Sequence, residues 1–252
     1  MGHFQYYEFQ AIDRMLTTAE IAELNSLSSR GIIAPYNAKF IYHYGDFRGK
    51  VEEILVNHFD MMMYTSNWGT RRLAFRLPDH LIQLERILHY QIEDVINIKK
   101  YNNSVVIDVD IQSDDLSSWI EEEDAKNILA CLLPLRNDLM RGDYRSLYLS
   151  CMAGYSAGIL EEYEMNDIAV PNGLNELSYS LQKLIDFFEI PEDLLTHYAA
   201  NSSQLQPLNI NLNNLSLNEA KEILAKLLNK EPNLDIELIR KLEGYLYEKS
   251  EY

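Results

Sequence analysis

The apolar residues of this chain change their spacing near residue 113, and that change limits the folds open to it. Up to about residue 112 they alternate between a period of two and a helical period. The first marks half-buried strands and the second amphipathic helices. From about Ser117 onward only the helical period remains.

In the first region "FQYYEFQAI" (4–12), "AKFIYHY" (38–44), "MMMYTSN", "RRLAFRLP", "DVINIKKY" and "SVVIDVDIQ" read as strands. Thr17 and Glu20 in "TTAE" fit a capping box, in which hydroxyl and carboxylate each satisfy a free backbone N–H. Ile21, Leu24 and Leu27 supply that helix's apolar stripe, and Gly31 is placed to end it. A short helix follows around Val51–Phe59, and Asp79 after Pro78 is placed to cap a helix over "DHLIQLERILHY". Gly69 in "NWGT" and the pair Asn102-Asn103 suit tight hairpin turns. The order β-α-β-α-β-β-α-β-β predicts a mixed or antiparallel sheet with helices on one face.

The fold class expected is therefore α+β, with an all-α C-terminal region. The segments are a sheet domain over 1–116, a helical domain over 117–200, an Asn- and Gln-rich linker over 201–215 and a helical hairpin over 216–252. Ser216 and Glu219 open the hairpin with a second capping box.

The formal net charge is −17, and it is unevenly spread. Residues 1–112 hold 14 acids and 11 bases; residues 113–252 hold 25 acids and 11 bases. The second region repels a nucleic-acid backbone, so contact with one needs a local basic patch or a partner. No apolar run approaches the roughly 20 residues of a membrane-spanning helix. The N-terminus lacks the cationic and apolar regions of a secretory signal. Two cysteines, Cys131 and Cys151, make no disulfide framework, and a cytoplasmic setting is expected.

The candidate site lies in "RRLAFRLP". Strand geometry puts Leu73, Phe75 and Leu77 on one face and Arg72, Ala74 and Arg76 on the other, with Arg71 preceding them at the turn. One reading is an anion clamp of planar guanidinium forks built from Arg71, Arg72 and Arg76. The other is the ordinary polar face of an antiparallel strand, its arginines pairing with acids such as Glu8 or Asp108. The second reading carries more weight. The loop "YHYGDFRG" brackets Asp46 and Arg48 between two glycines, as in a turn or a binding loop beside the arginine strand. His58 and Asp60 together with Asp46 offer an acid–base cluster only if the fold gathers them.

No motif calls for a cofactor or a metal. The acids of 108–124 fail the EF-hand pattern, with Ser113 where glycine is required. There is no GxSxG elbow and no cysteine–histidine signature, so the expectation leans away from an enzyme.

The stretch "YYEFQAIDRMLTTAEIAELNSLSSRGIIAPYNAKFIYHYGDFRG" followed by "NWGTRRLAFRLP" resembles an uncharacterised family of bacterial proteins. The likeness spans roughly residues 6–80, and a looser one continues through "LLPLRNDLMRGDYRSLYL" and "PNGLNELSYSLQKLIDFF". It implies a bacterial, cytoplasmic protein and, since other members run longer, a short form of the family. It carries no activity, cofactor or site residue with it.

Two functions follow as expectations. The first is a non-enzymatic interaction module engaging a protein partner, supported by 17 tyrosines and by a detachable terminal hairpin. The alternative is a phosphate-, nucleotide- or nucleic-acid-binding protein acting through Arg71, Arg72 and Arg76. Mimicry of nucleic acid by the acidic helices ranks last, because their acids are interleaved with apolar stripes.

Overall fold

Alternating residues in the first region pair into one sheet. A computed structural model describes residues 4–114, 116, 122–205 and 212–248. Its strands are β1 (Gln5–Gln10), β2 (Gly31–Ile33), β3 (Asn37–Tyr42), β4 (Met61–Ser66), β5 (Thr70–Pro78), β6 (Ile96–Tyr101) and β7 (Ser104–Gln112). They lie in the order β2-β3-β1-β4-β5-β7-β6, every neighbouring pair antiparallel. The fold is α+β, as expected.

Three helices interrupt the strands: α1 (Thr18–Leu27), α2 (Val51–His58) and α3 (Leu84–Leu88). The Thr17–Glu20 capping box forms at the start of α1. Gly31 does not end that helix, which stops at Leu27. It opens β2 opposite Phe40, where a Cβ would meet the Phe40 ring at 2.8 Å. The single helix expected after Pro78 is instead a 3-10 turn, Asp79–Leu81, and the separate five-residue α3. Asp79 makes no cap there; its backbone N–H bonds to the Asn103 carbonyl and its carboxylate faces Lys100 at 3.4 Å. Gly69 turns the β4–β5 hairpin at φ +81°, with the Ser113 carbonyl 2.0 Å from where a Cβ would sit.

Helices cover both faces of the sheet, not one. Tyr6, Met61, Met63, Leu73, Phe75, Leu77, Ile107 and Val109 face the later helices in one buried cluster. Phe9, Ala38, Phe40, Met62, Ala74 and Val106 face the other way, packed with Leu24 of α1 and with Ile54 and Leu55 of α2. The later helices are α4 (Glu122–Leu132), α5 (Pro134–Arg141), α6 (Arg145–Ser156), α7 (Glu162–Asp167), α8 (Tyr179–Phe188), α9 (Glu192–Ala199), α10 (Leu217–Leu228) and α11 (Leu234–Glu248). The first buried cluster runs unbroken from Phe4 to Ile236 of α11, so packing crosses the change of period. Residues 115 and 117–121 of the acidic connector, 206–211 of the linker and 249–252 of the hairpin lie outside the described residues.

Candidate functional site

Extension of β5 sends its arginines to different surroundings. Arg71 shares with Leu73 and Phe75 the face that the later helices cover and is 3% exposed. Its guanidinium donates to the Phe187 carbonyl and pairs with Glu189, the left-handed residue that closes α8. Arg72 and Arg76 point to the opposite face with Ala74 between them. Arg72 forms a two-pronged pair with both carboxylate oxygens of Asp108. Arg76 donates to the Phe59 carbonyl at 2.6 Å and pairs with Asp60. Of the two acids expected to neutralise this strand, Asp108 does so. Glu8 instead accepts from the Tyr6 hydroxyl at 2.8 Å and faces Lys39 at 3.1 Å. The three arginines thus do not converge on one ligand position.

Asp60 belongs to a charge network under the sheet. Its second oxygen accepts from the backbone N–H groups of Ile12 (2.6 Å) and Asp13 (3.0 Å). The Arg136 guanidinium, with no exposed surface, grips Asp13 at 3.0 and 2.7 Å and lies 3.6 Å from Asp60. Asn233, at the head of α11, also donates to Asp13 at 3.1 Å. This network joins sheet, helices and hairpin, and sequence reading missed it because its members are 123 and 220 residues apart.

Arg72 and Asp108 line a cleft of about 540 Å³ on the α2 side of the sheet, with Glu52, Asp94, Lys99 and Asp110. Register puts Phe40, Tyr7, Tyr64, Arg72 and Asp110 in one row across five strands, aromatic at one end and charged at the other. Lys99 is taken by Glu52 at 3.1 Å, and Glu52 also accepts from the Tyr101 hydroxyl, which holds its carboxyl below the usual range. Burial raises the Asp110 carboxyl, with Arg72 pulling it back, and among the described residues one Asp110 oxygen has no hydrogen-bond partner. With both cations already paired, the cleft holds more acid than base. It favours a hydrogen-bond donor over an anion.

The second candidate loop is held from below. The Gln5 amide donates to the Gly45 carbonyl at 3.2 Å and to Asp46 at 2.9 Å. Phe47 lies against Phe40 and Tyr7, with ring centres 4.5 and 5.1 Å away. Gly49 is required by the loop's own packing, since a Cβ would come within 2.5 Å of the Phe47 ring. Arg48 stands exposed on the far rim. His58 sits between Glu20 (3.5 Å) and Glu23 (3.7 Å) of α1. Asp46, His58 and Asp60 are each engaged by different neighbours and form no acid–base cluster.

Burial pushes the Cys151 thiol up to about 12, far from the range of a nucleophile. Among the described residues no three His, Cys, Asp or Glu side chains are grouped to hold a metal ion, and no helix is long and apolar enough to cross a membrane.

The hairpin presents the remaining surface. Ile236 and Leu242 of α11 are buried against the body, and Arg240 donates to the Met140 carbonyl at 2.9 Å. α10 rides outside α11, tied by Lys226–Glu237 (3.0 Å) and Lys241–Glu219 (2.5 Å), and buries none of its own side chains. Leu217, Leu224, Leu227 and Leu228 are 73, 57, 60 and 83% exposed. Their spacing places them along one stripe of the helix. Sequence reading gave the hairpin and its capping box, but not the exposure of these leucines. Comparison of the chain with protein-family models, curated proteins and solved structures found no match to any of them.

Proposed function

We propose that this protein is a non-enzymatic interaction module of a bacterial cytoplasmic system, docking a partner protein on the leucine stripe of α10. The observation that carries this reading is a twelve-residue helix with four leucines more than half exposed and no buried side chain. Contiguous apolar surface of that kind marks an interaction site in a soluble protein. The occupant is a helix of the partner with its own apolar stripe, the usual way such a face is covered. Net charge gives that helix its flanks. The region from residue 113 onward carries 25 acids against 11 bases, so a lysine- or arginine-flanked helix is attracted and an acidic one repelled. The free thiols Cys131 and Cys151 accord with a reducing compartment.

The test is quantitative affinity capture with the full chain and with a Leu224→Glu/Leu228→Glu variant, alongside sedimentation of each. The expected result is a stoichiometric partner held by the native chain and lost by the variant, both sedimenting as monomers alone. A partner retained by the variant, or no partner with a monodisperse monomer, overturns the proposal. A dimer dissolved by the variant assigns the stripe to a second copy instead.

Arginine-mediated anion binding on β5, the second function expected from sequence, draws less support from this geometry. Each of Arg71, Arg72 and Arg76 already holds a carboxylate.

A further inference from the structure

In a chain with 39 acids, most arginines find one. Among the described residues seven of the eleven hold a carboxylate: Arg14, Arg71, Arg72, Arg76, Arg136, Arg141 and Arg145. Arg240 is spent on backbone carbonyls. Two of those left over, Arg30 and Arg48, line the same pocket.

That pocket, of about 390 Å³, lies between the end of α1 and the loop joining β3 to α2. Arg30 is aimed by three contacts. Its backbone N–H donates to the Ser28 hydroxyl (3.1 Å), one terminal nitrogen donates to the Tyr44 carbonyl (2.7 Å), and its guanidinium carbon lies 5.4 Å from the centre of the Tyr42 ring. Among the described residues its remaining N–H groups have no acceptor. Arg48, which also lines the pocket, makes no hydrogen bond or ion pair among the described residues. Asp46 on the same wall does not neutralise either cation. One of its oxygens is held by the Gln5 amide at 2.9 Å, and among the described residues the other has no hydrogen-bond partner. Tyr44, 73% exposed, supplies an open aromatic wall.

We infer that this pocket binds a nucleoside monophosphate. Two guanidinium groups with unfilled donors match the phosphate dianion, which arginine takes in preference to other cations because its planar fork meets two oxygens at once. The free Asp46 oxygen accepts a ribose hydroxyl, and the Tyr44 ring stacks on the base. A cavity of this size falls within the range of small-ligand sites. The pocket is separate from the leucine stripe, so this inference does not depend on the docking proposal.

Titration calorimetry with the full chain tests it, using adenosine monophosphate, adenosine, ribose 5-phosphate and inorganic phosphate. The monophosphate is expected to bind, adenosine not to bind detectably, and the two ringless phosphates to bind more weakly than the nucleotide. Arg48→Gln, at an exposed position with no structural contact, is expected to weaken the nucleotide about tenfold or more, the scale of one lost charge-assisted pair. Arg30→Gln should do the same, and raised salt should weaken the native complex. No binding of the monophosphate at millimolar concentration, binding unchanged in Arg48→Gln, or inorganic phosphate binding as tightly as the nucleotide each overturns the assignment. Partner capture by Arg48→Gln and nucleotide binding by Leu224→Glu/Leu228→Glu should both stay native, so either proposal can fail alone.

Discussion

Helices α6 and α10 are each twelve residues long and owe their order to different forces. α6 buries ten of its residues, Arg145 to Gly154, and its N-cap Tyr144 makes no side-chain cap bond. It comes so near the segment leading into β6 and the chain after its own end that a Cβ on Gly154 would lie 2.8 Å from Val95 and Leu160. α10 has no fully buried side chain, with Ala220 and Ile223 only half-buried, and opens with a complete capping box at Ser216 and Glu219. Packing of an apolar face holds the first helix; local terms of about a kilocalorie or less each, with two ion pairs to α11, hold the second. The comparison separates a part of the molecule built for stability from a part free to bind, because elements that move or dock come from the low-stability end.

The largest expected effect lies at the charge network joining body and hairpin. Arg136→Ala leaves Asp13 and Asp60 short of a buried partner and should cost about 3–5 kcal/mol in urea unfolding. A loss near zero would mean the network is not dry, and the link between body and α11 would then rest on Ile236 and Arg240. Next comes a matched pair of deletions. Leu149→Ala in α6 should cost about 2–5 kcal/mol, as for a fully buried leucine. Leu224→Ala in α10 should stay within about 0.5 kcal/mol, as for a surface change. Comparable losses from the two would break the comparison outright.

Legibility in the sequence follows the same division. Strands long enough to alternate, such as "RRLAFRLP" and "SVVIDVDIQ", announced themselves and the face each side chain takes, and the Arg72–Asp108 pair followed from that. β2 escaped because three residues are too few to show a period, and Gly31 suggested a helix end while serving a close approach to Phe40. The side of the sheet that α1 and α2 cover was not legible, since an apolar stripe does not name its partner. Arg71 looked like a turn residue; its acceptors, Phe187 and Glu189, are 116 and 118 residues away. Arg30 carried no signal at all, because its place opposite Arg48 depends on how β3 and α1 meet.

Smaller effects sharpen the contrast. Ser216→Ala removes one side of the α10 capping box and should cost about 1 kcal/mol, confined to that helix. Hydrogen exchange should therefore quicken about fivefold in α10 while α6 and the sheet keep their protection. Equal quickening in α6 would show that the two helices unfold as one unit.

Ion pairs give the finest comparison. Glu8, 5% exposed, has its carboxyl raised first by burial, against the pull of the Tyr6 hydroxyl and Lys39. A folded value above the unfolded one means that the native state binds this proton more tightly. The stability it contributes is full below the unfolded carboxyl value, roughly 4.3, and is lost as pH rises through the folded value. At neutral pH the buried charge is a cost. Glu8→Gln should therefore raise the melting temperature at pH 7, with the gain shrinking toward pH 4; Lys39, partly exposed, regains water. On the hairpin, Glu237→Gln breaks the more exposed pair with Lys226, which solvent screens, and should leave the melting temperature nearly unchanged. Thermal scans from pH 4 to 8 read both variants. A fall in melting temperature for Glu8→Gln at pH 7 would mean that Lys39 and Tyr6 outweigh burial, making the sheet's charges as supportive as its apolar rows.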